Sequence, residues 1–222
     1  YKHSIDPNFS ASRFCLIDRG ITFAIAHVRG GGDLGDVWHE EGKKKLKKNT
    51  FFDYVSCANH LIKKKYTYKG GICFYGGSAG GLTGGAVANI APELFFAMLL
   101  LVPFVDTMTT MLNKKLPLTP AEWELWGNPI KSKEYFDYIL SYAPYNNLKK
   151  ISYPNMLITS SVFDNRVLYS EPVKYIAKLR DLKTDKNIQL LKCKMKAAGH
   201  GGMSGRDNAI TELAEEYSFI LN

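Results

Sequence analysis

Cysteine is scarce in this sequence, and its spacing does not suggest metal binding. The chain of 222 residues contains four cysteines, and none forms the C-x-x-C or Cys/His spacing of a zinc site. Cys15, Cys73 and Cys193 lie in apolar, strand-like runs, where a thiol behaves as a small hydrophobic group. We therefore expect no metal and no cofactor, and a reducing, cytoplasmic setting is the default expectation.

Long hydrophobic runs and internal repeats are absent as well. The longest apolar stretch, residues 94–105, is too short to cross a bilayer and is typical of a buried strand. No repeat of the kind that builds a β-propeller is present, and there are no low-complexity tracts. With 45% hydrophobic residues, a chain of this length predicts one domain with one core, and no membrane partner is expected.

Acidic residues are outnumbered, which gives the chain a formal net charge of +8. Much of the excess comes from lysines at 43–45, 47–48 and 63–65, on either side of a predicted helix. Such runs usually form solvated faces, and nucleic-acid binding would need interleaved aromatic residues or a recognisable module. The sequence therefore predicts no nucleic-acid partner.

Strand-like and helix-like segments alternate along the chain. Strands are predicted near residues 14–17, 23–28, 71–75, 97–102, 156–161 and 189–195. Helices are predicted near residues 50–64, 79–89, 133–141, 170–180 and 206–221. This alternation predicts an α/β fold, with a mostly parallel sheet and helices on both of its faces.

A serine between glycines follows the predicted strand 71–75. The pattern Gly76-x-Ser78-x-Gly80, placed between a strand and a helix, is that of the nucleophile elbow of α/β-hydrolases. Such a turn strains the serine backbone, and we expect a Cβ on the neighbouring residues to collide with the turn. Because similar glycine-serine patterns occur in ordinary loops, the interpretation depends on further catalytic residues downstream.

Two residues downstream complete a candidate catalytic triad. Asp164 follows the predicted strand 156–161, and His200 follows the strand 189–195 in a glycine-flanked loop. The chain order Ser, Asp, His is that of α/β-hydrolases, and the carboxyl ends of parallel strands are where sites assemble. In this interpretation Ser78 attacks, His200 transfers the proton and Asp164 orients the imidazole. The alternative is a loop histidine and a turn aspartate with no chemical role.

Two other functions have some support in the sequence, a dinucleotide site and a relative of the hydrolases without peptidase activity. Residues 30–35 satisfy the G-x-G-x-x-G pattern of dinucleotide sites, but no amphipathic helix follows and no acidic residue ends a second strand. A glycine-rich loop at the rim of a hydrolase site fits these residues better. An esterase-like or catalytically silent relative, which uses the fold for small esters or for partner binding, stays open as an alternative.

Blocks over most of the chain resemble the catalytic domain of the prolyl oligopeptidase family of serine peptidases, and most closely its oligopeptidase B branch. The blocks are residues 3–10, 24–32, 76–80, 102–106, 116–119, 126–129, 141–145, 171–172 and 199–206. Ser78, Asp164 and His200 fall on the triad positions of that family. The resemblance implies an α/β-hydrolase fold and a serine oligopeptidase that acts through an acyl-enzyme.

The resemblance also implies a substrate class, short peptides cleaved after Arg or Lys. Glu122 and Glu124 match the carboxylates that bind the basic side chain, although acidic residues in the first turn of a helix are also ordinary. Arg166 matches an arginine that binds the substrate backbone, with a structural ion pair as the alternative. Asp6 matches a position of the adjoining subsite.

Finally, the resemblance implies a larger protein. Residues 1–222 would be a partial hydrolase domain, with the first strands of its sheet and a β-propeller domain located upstream. The backbone N–H of Ala79 matches one donor of the oxyanion hole, while the second donor, a tyrosine hydroxyl, would precede Tyr1. Without that donor, we expect the isolated chain to be a poor catalyst.

Overall fold

The fold centres on a parallel β-sheet. The structure is a computed structural model that describes residues 2–196 and 198–222; Tyr1 and Ala197 lie outside the described residues. Across the described chain the sheet has four strands in the order β1-β2-β3-β4, and all neighbouring pairs are parallel. The strands are β1 Ile72–Gly77, β2 Phe95–Leu101, β3 Asn155–Ser161 and β4 Gln189–Lys194.

Helices connect the strands, as parallel strands require. The α-helices are α1 Phe14–Ile17, α2 Asp36–Glu40, α3 Lys48–Lys63, α4 Ala79–Ile90, α5 Thr107–Leu112, α6 Thr119–Trp126, α7 Lys133–Leu140, α8 Ser170–Leu182 and α9 Arg206–Leu221. Short 3-10 helices occur at Ala11–Arg13, Lys44–Leu46 and Pro92–Leu94. The predicted α/β-hydrolase architecture is confirmed.

Both faces of the sheet are covered, because successive strand residues point to opposite sides. Met98 and Leu100 of β2 pack into the larger core cluster, which includes buried residues of α3, α4 and α8. Between them, Leu99 points to the other face, where it joins Leu157 of β3 and Ile220 of α9. Because all neighbouring strands are parallel, their carboxyl ends lie at one edge of the sheet.

Two of the predicted strands are wrong. Residues 14–17 form helix α1, which buries Leu16 and exposes Phe14 and Ile17, so this apolar run has a helical rather than an alternating pattern of burial. Residues 23–28 form no strand, since no strand among residues 2–196 and 198–222 pairs with them. A short apolar run does not distinguish helix from strand by itself, and a strand forms only where a neighbour satisfies its backbone groups.

The lysine-rich segment is only partly the solvated surface that the sequence predicts. Lys43, Lys44 and Lys45 form ion pairs with carboxylates, whereas Lys47 is 1% exposed and its ammonium donates to Thr50 Oγ1 over 3.1 Å. Burial lowers the pKa of Lys47 to about 7. Its ammonium lies 5.1 Å from the centroid of the Trp126 ring, so this lysine helps to pack α6 against the body of the domain.

Candidate active site

Ser78 occupies the turn between β1 and α4. Its φ of 53° and ψ of −118° are sterically unfavourable for a residue with a Cβ, and such backbone strain costs about 1–3 kcal/mol. Hydrogen bonds hold the turn in place: Ser78 N–H donates to the Leu101 carbonyl over 2.9 Å, and Phe104 N–H donates to the Ser78 carbonyl over 3.1 Å. The serine is therefore fixed at the carboxyl edge of the sheet by the end of β2.

The glycines around Ser78 differ in how tightly they are packed. A Cβ on Gly81 would lie 2.4 Å from the Cβ of Pro103, and a Cβ on Gly76 would lie 2.8 Å from the Phe74 ring. A Cβ on Gly80 would meet no described atom within 4 Å. The expectation that any Cβ beside the serine collides is therefore wrong for Gly80, which faces open space.

Asp164 and His200 are brought together although 36 residues separate them in sequence. His200 Nδ1 lies 2.7 Å from Asp164 Oδ2, and the carboxylate also accepts the backbone N–H groups of Arg166 and Val167 over 2.8 and 3.0 Å. Burial opposes ionisation of Asp164, but these hydrogen bonds outweigh it and hold its pKa below the usual value. A buried, ionised carboxylate on Nδ1 leaves Nε2 of His200 available for chemistry.

The loop that carries His200 is anchored on both sides. Ser161, the last residue of β3, donates its hydroxyl to the carbonyl of Ala198. On the other side, Glu212 of α9 accepts Met203 N–H over 3.2 Å and pairs with Lys194 at the end of β4 over 2.5 Å. These contacts fix the short glycine-rich loop between β4 and α9 and so place the imidazole against Asp164.

A cavity of about 330 Å³ opens beside Ser78. Part of its wall is the segment that leads into α6 together with α6 itself, and another part is the segment 165–168, which follows Asp164. The lining residues include Ser78, Ala79, Phe104, Thr110, Glu122, Trp126, Asn165 and Arg166. Ala79 is the first residue of α4, so its backbone N–H has no acceptor within the helix and is available to a ligand.

Glu122 and Glu124 are placed differently. Glu122 lines the cavity and its carboxylate accepts Trp126 Nε1–H over 3.1 Å, whereas the Glu124 side chain is 82% exposed and pairs with Lys44 over 2.9 Å. Burial raises the pKa of Glu122, against the effects of that hydrogen bond and of Arg166 and His200. The structure therefore brings Glu122 close to the candidate catalytic residues and turns Glu124 away from them.

Arg166 lines the same cavity, within the segment 165–168, and its side chain is exposed to solvent. Asp6 is exposed within an irregular N-terminal segment and is not among the cavity-lining residues of the described chain. The glycine-rich loop 30–35 does not line this cavity either; Asp33 there accepts Ile5 N–H over 2.8 Å. The loop instead holds the N-terminal segment.

Trp126 and Thr110 are site residues that sequence reasoning missed. Trp126 supplies the hydrogen bond to Glu122, and Thr110 contributes to the cavity from α5. One signal for Trp126 was its position four residues after Glu122, which places both on one face of a helix, and another was its place in the resembling block 126–129. For metals, the described residues contain no group of three or more His, Cys, Asp or Glu side chains that could hold an ion.

The fold and the elbow define the class of protein as an α/β-hydrolase. Comparison with protein families identifies the branch of this class, since residues 7–222 match the model of the prolyl oligopeptidase family. The chain belongs to this family of serine peptidases.

Relatives of known name agree with this assignment. The chain is 49% identical to "Protease 2" of Moraxella lacunata and 47% identical to "Dipeptidyl aminopeptidase BI" of Pseudoxanthomonas mexicana, each over the whole of this chain. It matches only 32% and 30% of the length of those relatives. Among solved structures, oligopeptidase B from Leishmania major superposes with a TM-score of 0.96 at 45% identity, covering 99% of this chain and 30% of that one.

Proposed function

We propose that this chain is the catalytic portion of a serine oligopeptidase that cleaves short peptides after Arg or Lys. The observation that carries the proposal is the presence of Glu122 in the same cavity as Ser78. A partly buried carboxylate binds a guanidinium or ammonium strongly, because little water competes for the charge. The relatives are named as oligopeptidases and as a protease, which supports peptides as the substrates.

The proposed reaction passes through an acyl-enzyme. Ser78 Oγ attacks the scissile carbonyl while His200 Nε2 accepts its proton, and Asp164 stabilises the imidazolium through Nδ1–H. His200 then gives the proton to the leaving amine, and the acyl group stays on Ser78. Water next attacks this acyl-enzyme while His200 accepts its proton, and the peptide is released as a carboxylic acid with Ser78 restored. No hydrogen bond joins Ser78 to His200 among the described residues, and such contacts commonly tighten only in the substrate complex.

The oxyanion would form next to the N-terminus of α4. In the proposal, Ala79 N–H donates to it, where the helix dipole also favours negative charge. The second donor would be a tyrosine hydroxyl located upstream of residue 1. A β-propeller domain upstream would restrict access to short peptides; the chain spans about 30% of the length of the relatives it matches.

Substrate recognition is proposed to involve two parts of the cavity wall. Glu122 would bind the basic side chain from α6, and Arg166 would bind the peptide backbone from the segment 165–168. Glu124 and Asp6 stay predictions, because each would have to move to reach a substrate in the cavity.

The location of the protein is a separate proposal. A cytoplasmic location is proposed only from the scarcity of cysteine. Within the described chain, no helix has the length and apolar character needed to cross a bilayer.

The test uses fluorogenic dipeptides that end in Arg, Lys, Pro or norleucine, with a fluorophosphonate label mapped to Ser78 in the same samples. The protein is expressed with the residues encoded upstream, and also as the 222-residue chain. We expect labelling of Ser78 and turnover after Arg and Lys, and loss of both in Ser78→Ala with an unchanged circular dichroism spectrum. Turnover that survives in Ser78→Ala would refute the triad.

A second candidate follows from the name of one relative, a dipeptidyl aminopeptidase. The same panel, prepared with free and with blocked N-termini, distinguishes the two functions, since an aminopeptidase of that kind needs a free amino group two residues before the cleaved bond. Hydrolysis of dipeptide substrates only when the N-terminus is unblocked would favour the second candidate. Labelling of Ser78 without any peptide turnover would instead point to an esterase-like relative.

A further inference from the structure

A buried carboxylate lies behind the cavity and takes no part in the proposed chemistry. Glu171, in the first turn of α8, is 3% exposed. Its Oε2 accepts the backbone N–H of Asp106 over 3.0 Å, and its Oε1 accepts the hydroxyl of Thr110 over 2.5 Å. Asp106 directly precedes α5 and Thr110 lies within it, so Glu171 attaches α5 to α8.

From α5 the hydrogen bonds continue to the helix that carries Glu122. The carbonyl of Thr110 accepts the hydroxyl of Thr119, the first residue of α6, over 3.0 Å. One turn further on, Trp123 Nε1–H donates to the carbonyl of Met111 over 3.1 Å. Helix α6 is thus attached to α5 at two points, and α5 is attached to Glu171.

Through its backbone, Glu171 also contacts the cavity-lining segment that carries Arg166. Its backbone N–H donates to the carbonyl of Leu168 over 2.9 Å, and Leu168 ends the cavity-lining segment 165–168. The same segment begins directly after Asp164, whose carboxylate accepts two of its backbone N–H groups. Glu171 therefore contacts both regions: its side chain holds α5, to which α6 is attached, and its backbone N–H holds the end of the segment that carries Arg166.

The surroundings of Glu171 show that this carboxylate is costly to bury. Burial raises the pKa of Glu171 to about 7, against the hydrogen bonds from Thr110 and Asp106. The Asp106 carboxylate nearby pairs with Lys174 and accepts the Thr109 hydroxyl over 2.8 Å. The two hydrogen bonds that Glu171 accepts offset part of this cost, and both fix the position of α5, so we assign Glu171 a role in geometry.

We infer that Glu171 is a positioning residue that sets the spacing between α6 and the segment 165–168 and thereby holds Glu122 at the distance a basic side chain needs. The inference rests on the proposed function, because it assigns a consequence to the basic-residue pocket. Glu171 does not touch the substrate. Its loss should therefore impair selection of basic residues without removing the nucleophile.

The experiment compares Glu171→Ala, Glu171→Gln and Thr109→Val in the protein expressed with its upstream residues. KM and kcat are measured on matched substrates with Arg or norleucine before the cleaved bond, together with the rate of fluorophosphonate labelling at Ser78. Glutamine keeps the shape and can still accept Asp106 N–H and pair with Thr110. Thr109→Val removes the hydrogen bond to the Asp106 carboxylate and leaves Glu171 unchanged. It therefore controls for a nonspecific loss of order in α5.

We expect Glu171→Ala to raise KM for the Arg substrate by about tenfold relative to norleucine, with labelling of Ser78 nearly unchanged. Glu171→Gln should restore the preference to within about twofold, and Thr109→Val should leave it unchanged. An Arg preference that is unaltered in Glu171→Ala, or equally reduced in Thr109→Val, would overturn the inference. Failure of the parent protein to cleave after Arg would instead reject the proposed function.

Glu171→Ala could also fail to fold, and Thr110→Val covers that case. Valine keeps the volume of the side chain and removes only the hydroxyl that donates to Glu171. We expect a smaller loss of Arg preference in the same direction, visible in KM rather than in kcat. A folded Thr110→Val variant with the parent's preference would contradict the inference.

Discussion

At the scale of single residues, the structure separates two glutamates that the sequence treats alike. Glu122 and Glu124 are two positions apart on α6, and residues with that spacing point to different sides of a helix. One faces the cavity with Ser78, and the other pairs with Lys44 on the surface. Their side chains should therefore make unequal contributions to substrate selection.

Glu122→Gln should lower kcat/KM for Arg substrates selectively. Removing the charge from a partly buried partner of a guanidinium costs about 2 kcal/mol, which corresponds to roughly thirtyfold. The comparison with norleucine substrates measures the selective part. Glu124→Gln is the matched control and should change the Arg preference by less than about twofold, since its exposed ion pair is worth little. Equal losses on Arg and norleucine in Glu122→Gln would remove Glu122 from the pocket.

The buried carboxylate of Glu171 should also leave a signature in stability. Because burial raises its pKa from 4.5 to about 7, the folded state holds this proton more tightly than the unfolded chain does. The free energy of unfolding should accordingly fall as the pH rises from about 4.5 to about 7, by about 3 kcal/mol at most.

Urea unfolding at pH 5 and pH 8 measures this dependence. Glu171→Gln has no proton to lose and should show a smaller decrease between the two pH values than the parent chain. Asp106 and Lys174, the charged neighbours of Glu171, are left unchanged in the comparison. The same decrease in both proteins would mean that Glu171 titrates normally.

At the scale of elements, the long segments were predictable and the short ones were not. Strands β1–β4 and helices such as α3, α8 and α9 have enough apolar periodicity, or follow turn residues closely enough, to be recognised from sequence. Helices α5 and α6 were not predicted as elements, and residues 14–17 and 23–28 were assigned wrongly. Whether a short segment forms a helix or a strand depends on its tertiary contacts, and the local sequence does not predict those contacts.

The candidate site follows the same division. Ser78, Asp164 and His200 could be selected because each follows a recognisable strand, and the structure adds the 2.7 Å contact between the last two. The orientation of Glu124, the contact of Trp126 with Glu122 and the burial of Lys47 could not be predicted. The Trp126 contact lies within α6 and had only the spacing of the two residues as a signal, whereas the other two features depend on the packing of α6 against segments remote in sequence.

The turn between β1 and α4 gives a test of packing within one element. Gly81→Ala should destabilise the domain by about 1–3 kcal/mol, because its Cβ would approach Pro103 to 2.4 Å. Gly80→Ala has open space and should change stability little, with a gain of up to about 1 kcal/mol from helix propensity. Urea unfolding of both variants measures the difference. Similar losses in the two variants would show that backbone freedom, not contact with Pro103, requires these glycines.

At the scale of the whole molecule, the chain carries a site whose parts come from separate regions. Ser78 lies after β1, Asp164 after β3 and His200 after β4, so the parallel sheet itself assembles the residues. The insertion between β2 and β3 includes α6 and so adds Glu122, the residue proposed to bind the basic side chain. The local acidic group in the cavity, rather than the net charge of +8, is what would attract a basic peptide.

The most direct test of the central claim is labelling with a peptidyl diphenyl phosphonate that ends in arginine. Such a reagent phosphonylates an active serine and expels phenol, and peptide mass spectrometry identifies the modified residue. We predict a single adduct on Ser78, formed much faster than with the norleucine analogue and slowed by Glu122→Gln but not by Glu124→Gln. Equal rates for the two reagents, or no adduct on Ser78, would contradict an account in which Ser78 attacks peptides held by Glu122.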